Sequence, residues 1–199
     1  VKVPEFPNDA WAYVPGGNAP KTPYGLVVWL HEPGGSAWEE LLARWKTDCD
    51  RDGWILLAPE AADPRQWNRT ELPLIRKLID QISADYAIDP SRIILAGRGA
   101  GGAMALLAAS HNRDVVRGIA VLDSRLPSAI APNEPLERLA FYVARAEESA
   151  HADSVQKAIE QLRKAKYPVT VKELGDQPRP LEPDERTELS RWVDCLDRL

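Results

Sequence analysis

The stretch with the clearest chemical suggestion is RIILAGRGAGGAMALLAA, residues 92–109: a short apolar strand, a glycine-rich turn and an Ala/Leu helix. Such a corner carries sites in open α/β sheets, because the turn stands at the carboxyl end of the strand and the helix opens with unpaired backbone N–H groups. Two chemistries fit it. As a nucleophile elbow, G-x-S-x-G, the run Gly97-Arg98-Gly99-Ala100-Gly101 holds glycine where the attacking serine belongs. As a dinucleotide turn, G-x-G-x-x-G, it supplies Gly97, Gly99 and Gly102, and the next strand, residues 118–122, ends on Asp123, about where a ribose-binding carboxylate belongs. Position argues against the second chemistry, since the dinucleotide fingerprint usually sits at the first strand of its fold and here two or three strands precede it.

The first chemistry lacks its reactive atom. Acyl transfer from an unactivated ester or amide needs an activated oxygen or sulfur nucleophile, and Gly99 has no side chain. The hydroxyls and imidazoles that could stand in are Ser36, Ser124, His31, His111 and His151. Ser36 reads as a helix cap, forming an S-x-x-E capping box with Glu39. His111 reads as the polar end of the elbow helix, and His151 lies just before another helix start. Ser124 follows a strand at the correct edge of a sheet but has no evident base.

The elements that must position these residues alternate strand and helix. Continuous apolar runs at 26–30, 54–58, 92–96, 118–122 and 139–143 read as strands buried on both faces, with a further strand at 169–174 and an edge strand or remnant at 10–14. Trp38, Leu41, Leu42, Trp45 and Cys49 recur at helical spacing and end near Asp50; Leu74, Ile75, Leu78, Ile79 and Ile82 form a second stripe, with Thr70 as its cap. Asp89-Pro90 is expected to stop the chain before the central strand. Asp153 with Gln156 is expected to cap a helix over Val155–Ala165, and Pro183 to open a last one bearing Leu189, Trp192, Val193, Leu196 and Leu199. The fold expected is α/β: a doubly wound, mostly parallel sheet with helices on both faces, in a minimal single domain over residues 1–199 without a large lid, residues 1–21 being an edge strand and loop region.

Composition narrows the partners. With 199 residues, 44% hydrophobic and 28% charged, the chain is long enough to bury a core without disulfides or metals, and no apolar run reaches the length of a membrane span. A formal charge of −5 argues against nucleic acid, and two cysteines without C-x-x-C spacing argue against a metal cluster; no cofactor is expected. Val1 at the start, and Met104 as the only methionine, are expected of a domain excised from a longer multidomain protein or of a processed product.

The run 84–107, ADYAIDPSRIILAGRGAGGAMALL, resembles α/β-hydrolases of the feruloyl-esterase, polyhydroxybutyrate-depolymerase and phospholipase/carboxylesterase type, in which a Y-x-I-D-P-x-R-I strand leads into G-x-S-x-G-G. VVWLHEPGGSA, residues 27–37, resembles the oxyanion-loop segment with its L-H-G-x-G pattern, and PDERTELSRWVDCL resembles the closing helix, so the likeness extends over nearly the whole chain. The resemblance implies a degenerate triad. It puts Gly99 at the nucleophile, Glu147 or Glu148 at the acid, and Pro178 or Arg179 at the histidine, within a loop, 175–181, that has no histidine. Arginine stays protonated and cannot serve as base, and Pro33 in the oxyanion loop has no N–H to donate. Glycine at the elbow relieves backbone strain of about 1–3 kcal/mol once no serine is needed.

The expected function is therefore a non-catalytic α/β-hydrolase-like domain that acts as a binding or scaffolding module in a larger protein. The alternatives are an active esterase or peptidase with a relocated site, and a dinucleotide enzyme using Gly97, Gly99, Gly102 and Asp123. A small anionic ligand or a neighbouring domain is the expected partner. Candidate ligand-binding residues are His31, Glu32, Arg98, Ala100, Gly101, Ser124 and Arg179, the anion being drawn to the helix N-terminus at 100–102. The resemblance also places the helix bearing Cys49 beside the one bearing Cys195, which suggests a disulfide and, with it, an extracytoplasmic home.

Overall fold

Alternating strands and helices assemble into a sheet of order β1-β3-β2-β4-β5-β6-β7. The structure is a computed structural model and describes residues 1–16, 22–32, 34, 38–126 and 132–198. The elements are β1 (Ala10–Tyr13), β2 (Tyr24–Leu30), α1 (Trp38–Asp52), β3 (Trp54–Pro59), a 3₁₀ turn (Arg69–Glu71), α2 (Leu72–Asp85), β4 (Ile88–Arg98), α3 (Gly99–His111), β5 (Gly118–Leu122), β6 (Ala140–Arg145), α4 (Ala152–Lys164), β7 (Val169–Glu173) and α5 (Pro183–Asp194). Only β1 is antiparallel, pairing with β3 at one edge; every other pairing is parallel. This is the doubly wound sheet expected from the alternation of buried strands and amphipathic helices.

The period of two along each strand divides the core. Val27, Ile94, Ala96, Ala120, Leu122 and Tyr142 pack on Trp45, Cys49, Leu189, Trp192 and Val193 of α1 and α5. Their neighbours Val28, Leu30, Leu95, Val121 and Val143 face the opposite layer, with Ile75, Leu78, Ala105, Ala108 and Ile159 of α2, α3 and α4. Strands buried on both faces need apolar residues at every position, which is why the sequence shows continuous runs there.

Several local expectations are corrected. Asp89-Pro90 lies inside β4 instead of before it: the β2–β4 register shifts between Tyr24↔Ile88 and Leu26↔Ile93, and that irregularity accommodates the proline while the Asp89 carboxylate accepts bonds from the Ser91 N–H and hydroxyl. Asn68, not Thr70, caps the turn into α2, in a reciprocal box with Glu71, and the helix then starts with Pro73 in its first turn. Asp153 and Gln156 do not cap α4. Gln156 instead meets Arg145 and Glu160, and the Ser149 hydroxyl accepts the His151 N–H ahead of the helix. α1 runs two residues beyond Asp50 and leaves through Gly53 at φ +65°, a left-handed exit suited to glycine. The α5 start at Pro183 is as expected, reinforced by a Glu182–Glu185 capping box. Ser36, Pro33 and Leu199 lie outside the described residues.

Cys49 and Cys195 are not bridged. Cys49 is buried against the sheet, but Cys195 falls on the turn closing α5 and points outward while Trp192 and Leu196 on either side of it turn inward. The disulfide that the resemblance suggests is therefore not formed: the tightened turn at the end of α5 carries Cys195 away from the inner face.

Candidate functional site

Three adjacent parallel strands, β2, β4 and β5, end side by side, and the turn after β4 is the elbow. Gly99 has φ +54°, the left-handed conformation in which a non-glycine residue is strained. The flanking glycines are demanded by packing. A Cβ on Gly97 would stand 2.6 Å from the Leu30 carbonyl, one on Gly101 2.0 Å from the same oxygen and 2.4 Å from that of His31, and one on Gly102 1.9 Å from the Ser124 hydroxyl. These contacts bring α3 down onto the ends of β2 and β4, so packing accounts for Gly97 and Gly102 of the dinucleotide motif, and the left-handed turn for Gly99. Asp123, proposed above for a ribose, has φ +45° and takes a hydrogen bond from the Ser149 hydroxyl, which ties it to the loop after β6. The dinucleotide reading is not favoured.

The space above Gly99 is taken by a carboxylate. A Cβ built on Gly99 would lie 2.5 Å from Glu32 Oε1 and 2.9 Å from its Cδ. Glu32 is the second residue after β2, and its carboxylate lies over the first residue of α3, where the helix dipole favours a negative group.

The other candidates are distributed as follows. His31 is buried and structurally engaged: Nδ1 meets the Glu32 carbonyl at 2.9 Å, Nε2 accepts the Ala61 N–H at 3.1 Å, and the Trp67 indole donates to its carbonyl at 2.8 Å. With both ring nitrogens occupied it offers nothing to a ligand. Ser124 is buried, donates to the Leu122 carbonyl and wedges against Gly102, so it is packing and not a ligand group. Gly101 is buried against β2, while Ala100 is exposed. Arg179 grips Glu185 with both terminal nitrogens, at 2.6 and 2.8 Å, and is spent on holding the start of α5. Glu147 and Glu148 are exposed; their N–H groups pair with the carbonyls of Gly175 and Asp176, so the loops after β6 and β7 lie side by side, and Glu148 accepts from Gln177. Pro178 and Arg179 stand in that second loop, whose residues 175–181 include no histidine. His111 bonds back to the Leu107 carbonyl at the far end of α3.

Of these candidates His31 borders only a crevice of about 10 Å³ beside Trp11, Trp29 and Trp38, whereas Arg98 lines a cavity of about 550 Å³. Trp29, Arg98 and Leu122 form its floor as last or near-last positions of β2, β4 and β5 on the α1/α5 face. Glu40, Leu41, Arg44 and Trp45 of α1 make one wall; Pro180, Leu181 and Arg186 make the other. Of these lining residues the sequence reading named only Arg98 as a ligand group. Strand parity was the signal available, since Ile94, Ala96 and Arg98 alternate onto one face, and Leu41, Arg44 and Trp45 share one side of α1. Among the described residues no group of acidic, histidine and cysteine side chains could hold a metal ion.

An elbow between a central parallel strand and its helix, with sites gathered at the carboxyl ends of the strands, defines the class: the chain has the α/β-hydrolase fold. Its structural neighbours are esterases and carboxylesterases of that fold. The phospholipase/carboxylesterase of Dyadobacter fermentans superposes with a TM-score of 0.69 at 16% identity, covering 94% of this chain and 98% of that one. An acetyl xylan esterase from Aspergillus awamori gives 0.71 at 12% identity, with 94% of each chain covered. A carboxylesterase from Bacillus cereus gives 0.67 at 15% identity, covering 96% of this chain and 95% of its own. In sequence, the chain is similar to a Nocardia uniformis subsp. tsuyamanensis protein named "Putative esterase NocK", 29% identical in an alignment of 143 positions that covers 62% of this chain and 41% of that protein. No family model matches the chain.

Proposed function

We propose that this domain is a non-catalytic member of the hydrolase fold that works as a binding module. The observation that carries the reading is the pairing of Gly99 with Glu32: the elbow keeps its left-handed turn, yet the position of the nucleophile has no side chain and the space above it holds a carboxylate. A carboxylate over the helix start also opposes the oxyanion that acyl transfer would build there, since two like charges would lie close together. In the loop after β7 the resemblance aligns Pro178 or Arg179 with the general base; neither can accept a proton, and Arg179 is already paired with Glu185. As a binding module, the domain uses what the fold retains: a cavity at the carboxyl ends of the strands.

The test is hydrolysis of short-chain nitrophenyl esters, with fluorophosphonate labelling in parallel. Neither turnover above buffer nor labelling is expected. Turnover that disappears in Ser149→Ala, the serine bonded to Asp123, would replace this reading with that of an esterase using a relocated nucleophile.

A further inference from the structure

We propose that the cavity between α1 and the β7–α5 loop binds a small organic monocarboxylate with an apolar body, its carboxylate held by Arg98 and Arg44. This deepens the reading of the domain as a binding module and rests on it. The argument is one of charge and shape. The chain carries a net −5, yet three guanidinium groups, those of Arg44, Arg98 and Arg186, converge on this one cavity. Arg186 is accounted for: it is buried, its Nε donates to Asp48 Oδ2 at 2.5 Å and its Nη1 to the Leu181 carbonyl at 2.9 Å. Arg98 and Arg44 have no hydrogen bond or ion pair among the described residues. Arg98 is half-buried at the floor, where an arginine with no counter-ion loses hydration without compensation.

Glu40 is the one acid of the lining, exposed and one helical turn before Arg44, and it makes no ion pair within 4 Å of either arginine. Two guanidinium groups without a partner among the described residues match one carboxylate, which can take bonds from both. The planar fork of a guanidinium fits a carboxylate with two parallel N–H bonds. The rest of the lining is apolar: Trp29 and Trp45, with ring centroids 5.5 Å apart, together with Leu41, Leu122 and Leu181. That apolar surface suits a phenyl group or a short alkyl chain.

The experiment is calorimetric titration of the intact chain with 3-phenylpropanoate and octanoate, each set against its neutral amide, with inorganic phosphate as a third arm. Saturable binding of the carboxylates is expected, with the amides at least about 10-fold weaker, the loss of a charge-assisted pair. Arg98→Gln and, separately, the surface change Arg44→Gln should each weaken the carboxylates by a similar factor, while Arg163→Gln on the remote face of α4 should change nothing. Melting curves of each variant report folding, and Arg44 is exposed enough that its replacement leaves the fold intact. The proposal is overturned by amides that bind as well as acids, by indifference to both arginine changes, by tighter binding of phosphate, or by no binding of either acid. Release of acid from the methyl ester of 3-phenylpropanoate is followed in the same samples. Its appearance would sink the non-catalytic reading without touching the affinity comparison.

Discussion

Around Gly99, one backbone angle and one neighbouring carboxylate decide the chemistry. Gly99→Ser would restore the elbow's hydroxyl, but it must be forced into φ +54° and must displace Glu32, whose carboxylate stands where the new Cβ would go. A destabilisation of about 1–3 kcal/mol is expected from the backbone conformation, with no gain of esterase activity because no base comes with the hydroxyl. Glu32→Ala should recover part of that loss. Additive effects in urea unfolding would show that the two residues do not compete for the space. The two thiols differ as sharply. Burial, aided by the adjacent Asp48 carboxylate, pushes the Cys49 thiol up to about 12, whereas Cys195 is exposed at the end of α5. At pH 8 in the native protein a disulfide-exchange reagent should therefore titrate one thiol, and a second only after denaturation. Two fast thiols, or none under denaturing conditions without reductant, would contradict the arrangement.

Single elements were legible in the sequence wherever one physical rule governed them. Residues 54–58 read as a strand because every position is buried, and Pro183 marked the start of α5 because its missing N–H costs nothing in the first turn. The rule failed where tertiary partners outvoted it: Asp89-Pro90 entered β4 through a register shift, and Gln156 answered Arg145 instead of a helix end. The carboxylate over Gly99 was not legible at all, since it depends on how the end of β2 is laid against the start of α3. The same dependence governs α5, whose start is fixed by Glu185 between Arg179 and the Glu182 N–H at 2.8 Å. The Arg179 bond, more than the burial that opposes it, holds the Glu185 carboxyl below the usual glutamate range. A carboxylate with a lowered pKa contributes stability above its unfolded pKa and loses it as pH falls through the folded one. Glu185→Gln should cost about 1–3 kcal/mol at pH 7, and the gap to wild type should close as the pH is lowered below the ordinary glutamate range. A gap that stays constant down to pH 3 in urea unfolding would show that the charge is irrelevant to the cap.

For the whole molecule, the sheet order sets a gradient of stability from centre to edges. β4 is hydrogen-bonded on both sides, to β2 and β5, and Ile94, Leu95 and Ala96 are fully buried between two helical layers. β1 and β7 each pair on one side only, with Tyr13, Val169 and Val171 no more than partly buried. The β7 edge also carries charge, with Lys172 2.8 Å from Glu188 and Glu173 paired to Arg145 across the ladder, which discourages pairing with another chain. Because the elbow turn and the cavity floor hang from β4 and its two neighbours, the site belongs to the part of the fold expected to open last. Native-state hydrogen exchange should show it: amides of residues 93–97 exchanging only with global unfolding, near the full stability of about 5–15 kcal/mol, and those of β1 and β7 through local openings several kcal/mol lower. The monocarboxylate, by binding the folded state alone, should raise the protection of the β4 amides by RT ln(1 + [L]/Kd), about 2.7 kcal/mol at a hundred times Kd, and leave the edge-strand amides where they were. Protection that rises equally at β1 and β7, or central amides that exchange as fast as the edges, would show that the molecule does not open in this order.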